Sequence, residues 1–301
     1  MFVNNIDFEQ YAELQEVIHQ VKEKSEFENS LNEYFAGNLF SNGSELPWNS
    51  ASHISLRPSE VSLWAGVNGH GKSLLLGQVV LSLIEQGQKC LIASFEMRPE
   101  VTLARMTRQA TGSKKPNPLD VEKFSKWKED HLYIYDHHGM IYPEQMLAVC
   151  RYAAQELKIN HLVIDSLMKC VRGEDDFNGQ KDFINELCSI ARATGIHIHL
   201  VHHMRKASNE KEIGGKFDLK GSGAITDQAD NVFIVWKNKE KAQIAFENPG
   251  YFDREIPDAM LVCEKQRNGE WEGKVRLWFD YKSQQFIETA DSKIIDYLGN
   301  R

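Results

Sequence analysis

Apolar residues fall in short unbroken runs separated by amphipathic stretches. The runs at 60–65, 89–95, 161–166 and 196–201 predict strands buried on both faces, and 131–135 a shorter one. Between them, 74–81, 99–111, 143–157 and 182–194 read as helices, with Pro99 in the first turn of the second. A short helix ending near Ala229 precedes strands at 231–236, 259–264 and 274–281. Strand and helix alternating in this way predict an α/β domain whose central sheet is mostly parallel, flanked by helices, with a later antiparallel edge. Residues 112–120, 172–181 and 207–217 read as loops.

The first 45 residues differ. Phe8, Tyr11, Leu14, Ile18 and Val21 fall at helical spacing, and Phe27, Leu31, Tyr34, Phe35 and Leu39 suggest a second short helix. Two readings stand: both helices pack on their own core, or they latch onto a neighbouring subunit. A Ser-Asn-Gly-Ser stretch at 41–44 divides this appendage, 1–45, from a core at 46–301.

Gly66 to Ser73 reads GVNGHGKS, the phosphate-loop pattern, set between a buried strand and a helix as that motif requires. Gly66, Gly69 and Gly71 let main-chain amides turn toward phosphate oxygens, with Asn68, His70 and Leu74 in the same cradle. Lys72 suits the β- and γ-phosphates and Ser73 a Mg²⁺ ion. The run 161–165 delivers Asp165 at a strand end, a second Mg²⁺-directed group, and 89–95 delivers Glu96, placed to orient an attacking water. Otherwise Glu96 is an exposed carboxylate after a strand. His203 closes the 196–201 run and suits a γ-phosphate sensor. By alternation it shares a face with His197 and His199, but no carboxylate spacing accompanies them to complete a metal cluster. Lys265 and Arg267 suit a finger reaching a neighbour's γ-phosphate, or a solvated turn with Asn268 and Gly269.

The chain has 301 residues, 42% hydrophobic and 26% charged, enough for one large domain or a core with an appendage. A net charge of −8 means that any nucleic-acid site is a local basic lining on an acidic body. Arg205, Lys206, Lys211, Lys216 and Lys220 outnumber Glu210, Glu212 and Asp218 in one polar stretch, which reads either as such a lining or as a solvated loop. Five scattered cysteines point to a reducing compartment, and neither a signal peptide nor a membrane-length apolar run is present.

Together GVNGHGKS at 66–73, SFEM at 94–97, LVIDS at 162–166, VHHMRK at 201–206, DLKGSGAITDQAD at 218–230 and KQRNG at 265–269 resemble the RecA-type hexameric replicative helicases. These are the DnaB family and the helicase half of phage primase-helicases. The motifs occur in family order over about 46–286. The resemblance implies a RecA-like core that uses ATP, or another NTP or dNTP, with Mg²⁺. Glu96 is then the base, Lys72 and Ser73 hold phosphate and metal with Asp165, and His203 is the sensor, as in the phage branch. Lys265 and Arg267 act across a subunit interface. Arg205, Lys206, Lys216, Lys220, Gly221, Ser222 and Gly223 hold single-stranded DNA in the channel of a homo-oligomeric, hexameric ring. Zinc-binding and polymerase-like primase modules have no counterpart in the sequence, nor does the long N-terminal helical domain of bacterial DnaB. The implied protein is a stand-alone 5′→3′ helicase in the cytoplasm of a bacterium or phage-infected host, served by a separate primase, loader or polymerase. Two other outputs fit the same core: RecA- or KaiC-like strand exchange or regulation, and a nucleotide-gated assembly factor.

Overall fold

The apolar runs become the strands of one mixed sheet. The computed structural model describes residues 6–12, 23–36, 43–173, 175–204, 213–215, 218, 224–248, 251 and 253–299. In chain order these give α1 (Glu28–Phe35), β1 (Ser44–Glu45), β2 (Ser55–Leu56), β3 (Val61–Gly66), α2 (Lys72–Glu85), β4 (Cys90–Ser94) and α3 (Pro99–Thr111). Next come α4 (Pro118–Lys126), β5 (Leu132–Ile134), α5 (Pro143–Gln155), β6 (His161–Asp165), α6 (Phe177–Thr194) and β7 (His197–His203). The chain closes with α7 (Ala224–Gln228), β8 (Asn231–Lys237), α8 (Lys239–Glu247), β9 (Ala259–Gln266), β10 (Gly273–Asp280) and β11 (Gln285–Ile287).

Among the described residues the main sheet has nine strands in the order β11-β10-β9-β8-β3-β7-β6-β4-β5. From β5 to β8 neighbours run parallel; β9, β10 and β11 add the antiparallel edge that the sequence predicts. β3 lies between β7 and β8, strands far later in the chain: Val61 pairs with Ile198 and Ser62 with Asn231. Alternation along β3 feeds two cores. Val61, Leu63 and Ala65 pack with α5 and α6, and Trp64 packs with α2 and β10.

Two predicted loops are corrected. Pro118 at the first helical position, with Asn117 and Asp120 in a reciprocal cap, starts α4 inside and beyond the stretch read as 112–120 loop. Asp176 caps Gly179, so α6 begins at Phe177 and takes the second half of the 172–181 loop.

The appendage divides. Residues 8–12 form turns rather than the helix that the spacing predicts, and Tyr11 is buried against α5: its hydroxyl donates to Glu156 Oε1 at 3.0 Å, and Arg151 donates to its carbonyl at 2.9 Å. Leu14, Ile18, Val21 and Leu39 lie outside the described residues. α1 does form; Phe27 just before it and Leu31 and Phe35 within it are exposed.

Candidate functional site

Four adjacent strands of the sheet, β3, β7, β6 and β4, bring the predicted chemistry to one edge. Gly66 ends β3 in register with His203 at the end of β7, and Asp165 ends β6 in register with Ser94 just before Glu96. The C-terminal edge of parallel strands is where open α/β sheets hold their ligands.

The loop has the backbone its glycines predict. Gly69 and Gly71 have φ of 82° and 87°, where a side chain is strained. A Cβ on Gly66 would stand 2.5 Å from the Val235 carbonyl oxygen, so the cradle closes on β8 only because that position is glycine. Asn68 and Gly69 are exposed, while His70 is buried under the loop. Lys72 starts α2 and turns back across the loop, donating from Nζ to the carbonyls of Gly66 at 2.9 Å and Val67 at 3.3 Å. Burial pulls its ammonium pKa down; the Asp165 and Glu96 carboxylates oppose that pull.

Ser73 donates to Asp165 Oδ2 at 2.5 Å. A hydroxyl and a carboxylate held together beside a phosphate cradle are the hard oxygen donors Mg²⁺ takes, so the residues present fit such an ion. Burial raises the Asp165 pKa, and the Ser73 hydrogen bond acts against it. Glu96 is the opposite case. His203 Nε2 meets its Oε1 at 3.2 Å and Ser166 donates to the same oxygen at 3.0 Å. The His203 hydrogen bond is the largest cause; burial opposes it, the Ser166 hydrogen bond adds to it, and the pKa falls to about 2. Glu96 therefore stays ionised through the whole physiological range, as a group that orients water must.

Lys265 and Arg267 are not delivered to this edge. Gln266 pairs with Asn231, which starts β8, so both flank the opposite end of the sheet. Lys265 Nζ donates to the carbonyls of Thr226, Asp227 and Ala229 at 2.8–2.9 Å, and Arg267 to those of Asp227 and Gln228 at 2.9 and 3.2 Å. Arg267 also pairs with Asp230 at 3.4 Å. Both cations neutralise the C-terminal carbonyls of α7 within their own chain. Arg205, Lys206, Lys216, Lys220, Gly221, Ser222 and Gly223 lie outside the described residues.

His197 and His199 join a residue the spacing did not associate with them, His161 of the neighbouring strand. The indole N–H of Trp64 donates to His199 Nδ1 at 3.1 Å, so neutral His199 carries its proton on Nε2 and donates to His161 Nδ1 at 3.1 Å; His161 then donates to Ser44 at 3.2 Å. His197 donates to the Arg57 carbonyl and accepts from Ser62. Burial pushes His197 down to about 4 and holds His161 and His199 well below the usual histidine range. Protonation would break a network in which each ring nitrogen already has its role.

A cavity of about 220 Å³ adjoins the phosphate loop, walled by Gly69, His70 and Leu74 on one side and by Phe279, Tyr281 and Phe286 on the other. These aromatics escaped the sequence reading. Their signal was three rings within eight residues of the antiparallel edge, aimed at the loop only because β10 and β11 fold back beside α2.

A Gly-Lys-Ser loop leaving a parallel strand, flanked by a hydroxyl–aspartate pair and a glutamate on neighbouring strand ends, defines a nucleotide-binding enzyme of the nucleoside triphosphatase class. The AAA domain family matches residues 33–209, more than half of the chain, and the chain belongs to that family. Among curated proteins, the DNA helicase/primase of Enterobacteria phage T3 is 24% identical over 209 residues, covering 62% of this chain and 37% of that protein. The chain thus spans little more than a third of that relative's length. Among solved structures, a DnaB-like replicative helicase, described with its interactions with primase, superposes with a TM-score of 0.68 at 14% identity over 89% of this chain and 67% of its own. A second solved structure, an ATPase domain on its own, gives 0.69 at 15% identity over 89% of this chain and 99% of its own. The fold is that of DnaB-like ATPase domains, as the motifs implied. No helix among the described residues is long and apolar enough to cross a membrane.

Proposed function

We propose that this chain is the motor of a DNA helicase: a ring, hexameric by resemblance, that hydrolyses ATP or another NTP or dNTP between subunits and translocates 5′→3′ on single-stranded DNA. The observation that carries the reading is the place of His203. It touches the Glu96 base at 3.2 Å and ends the strand from which the chain runs directly into 205–223, the segment proposed to hold DNA. A change at the nucleotide thus has a short covalent route to the strand contact. A Mg²⁺ ion on Ser73 and Asp165 would supply charge neutralisation for the phosphates. Lys72 binds the phosphates, Glu96 accepts a hydrogen bond from the attacking water and orients it, and Phe279, Tyr281 and Phe286 offer the nucleobase an apolar wall. Lys265 and Arg267 act on a neighbour's nucleotide after leaving the α7 carbonyls. The exposed face of α1 is the latch between subunits, supported by an apolar groove between α3, α4 and β5 that includes Leu103, Phe124 and Trp127. A separate primase, loader or polymerase completes the system.

The test is nucleotide hydrolysis by the purified chain with and without single-stranded DNA, with Lys72→Ala as the blank. Stimulation of about tenfold or more that fades as salt rises is expected, followed by unwinding of a forked duplex. Turnover indifferent to DNA in an assembled ring would replace the helicase reading with a regulatory ATPase.

A further inference from the structure

Ser166 stands immediately before a short 3-10 turn, Leu167–Lys169. A serine there ordinarily turns its hydroxyl onto the turn's free N–H groups. Ser166 makes no such cap. Its hydroxyl, fully buried, donates instead to Glu96 Oε1 at 3.0 Å. The residue is held on both sides: its carbonyl accepts from Lys169 N at 3.0 Å, and the preceding Asp165 carbonyl accepts from Phe95 N at 2.8 Å, tying β6 to the residue before Glu96. Glu96 itself is more than a third exposed, and among the described residues both of its side-chain hydrogen bonds fall on Oε1, leaving Oε2 for water.

The two donors are not equivalent. His203 is the group that a γ-phosphate would draw away, and it sits at the end of a strand that leads into the proposed DNA segment. Ser166 follows the buried end of β6 and is itself fully buried. We propose that Ser166 is the positioning residue of the hydrolytic base: it holds Glu96 Oε1 in both states of His203, so that Oε2 keeps its aim when the sensor engages phosphate. This rests on the reading of Glu96 as the base.

The experiment is steady-state hydrolysis and nucleotide binding by the full chain. Ser166→Ala is expected to lower kcat about tenfold with KM and nucleotide Kd unchanged within about twofold, the signature of a misplaced group rather than a lost binding contact. Ser166→Thr, which keeps the hydroxyl, is expected to recover most of the rate. In a Glu96→Gln background, Ser166→Ala is expected to remove nothing further. Ser166→Cys, similar in size but a poor donor, gives the same reading if the alanine variant does not fold. Wild-type kcat in Ser166→Ala, a loss carried by KM, or additivity with Glu96→Gln would overturn the proposal while leaving Glu96 as base. A wild type whose turnover Glu96→Gln does not change would overturn both.

Discussion

Strand β7 carries histidines at both ends and treats them oppositely. At its start, His197 and His199 are wholly buried with their tautomers fixed, by a donor-only indole on His199 and by a carbonyl on His197. At its end, His203 faces a half-exposed carboxylate, and its role follows from whatever else enters the site. The residue type and the strand face are the same. The number of committed partners differs, and that separates a group that reports on the fold from one that does chemistry. The two edges of the sheet follow suit. The phosphate edge keeps Lys72 and His203 on contacts a substrate can replace, while the opposite edge knits Ser62, Asn231 and Glu60 into buried hydrogen bonds.

Substitutions at the two edges should therefore separate rate from stability. Glu96→Gln tests this most severely: hydrolysis is expected to fall by about 10²–10⁴-fold with the thermal midpoint unmoved, since a half-exposed carboxylate gives the fold little. A parallel drop in melting temperature would erase the distinction. His199→Leu is the converse case. It strands the Trp64 N–H and His161 Nδ1 without partners, which is expected to destabilise by about 2–4 kcal/mol in denaturant titrations, with kcat per folded molecule retained. The smallest effect is on pH. The His197 pKa lies below its unfolded value of about 6.5, so the unfolded chain binds the extra proton first. Stability is expected to be full above that value and to decline as pH falls toward about 4, with His161 and His199 extending the loss to lower pH. Melting curves across this range check it, and His197→Gln should flatten the slope.

What the sequence disclosed divides along the same line. Gly66 to Ser73, Glu96 and Asp165 were legible because each is the end of a local apolar run, and a run's end is a property of neighbouring residues. The network of His161 with His199 was not, because it depends on which strands become neighbours. Ser166 sits within LVIDS, and nothing local says that its hydroxyl abandons the cap for a residue 70 positions earlier. The same holds for Phe279, Tyr281 and Phe286, whose value lies in the fold-back of the antiparallel edge.

The position of β3 bears on how the protein comes into being. The strand that bears the phosphate loop is synthesised well before both of its partners, β7 and β8, with α2 to α6 made in between. During translation the apolar segment 61–66 has no native strand partner while α2 to α6 emerge, and the nucleotide site is incomplete until β7 inserts between β3 and β6. Such distant pairing makes for slow folding and a long exposure to aggregation, with the nucleotide site among the last features to form.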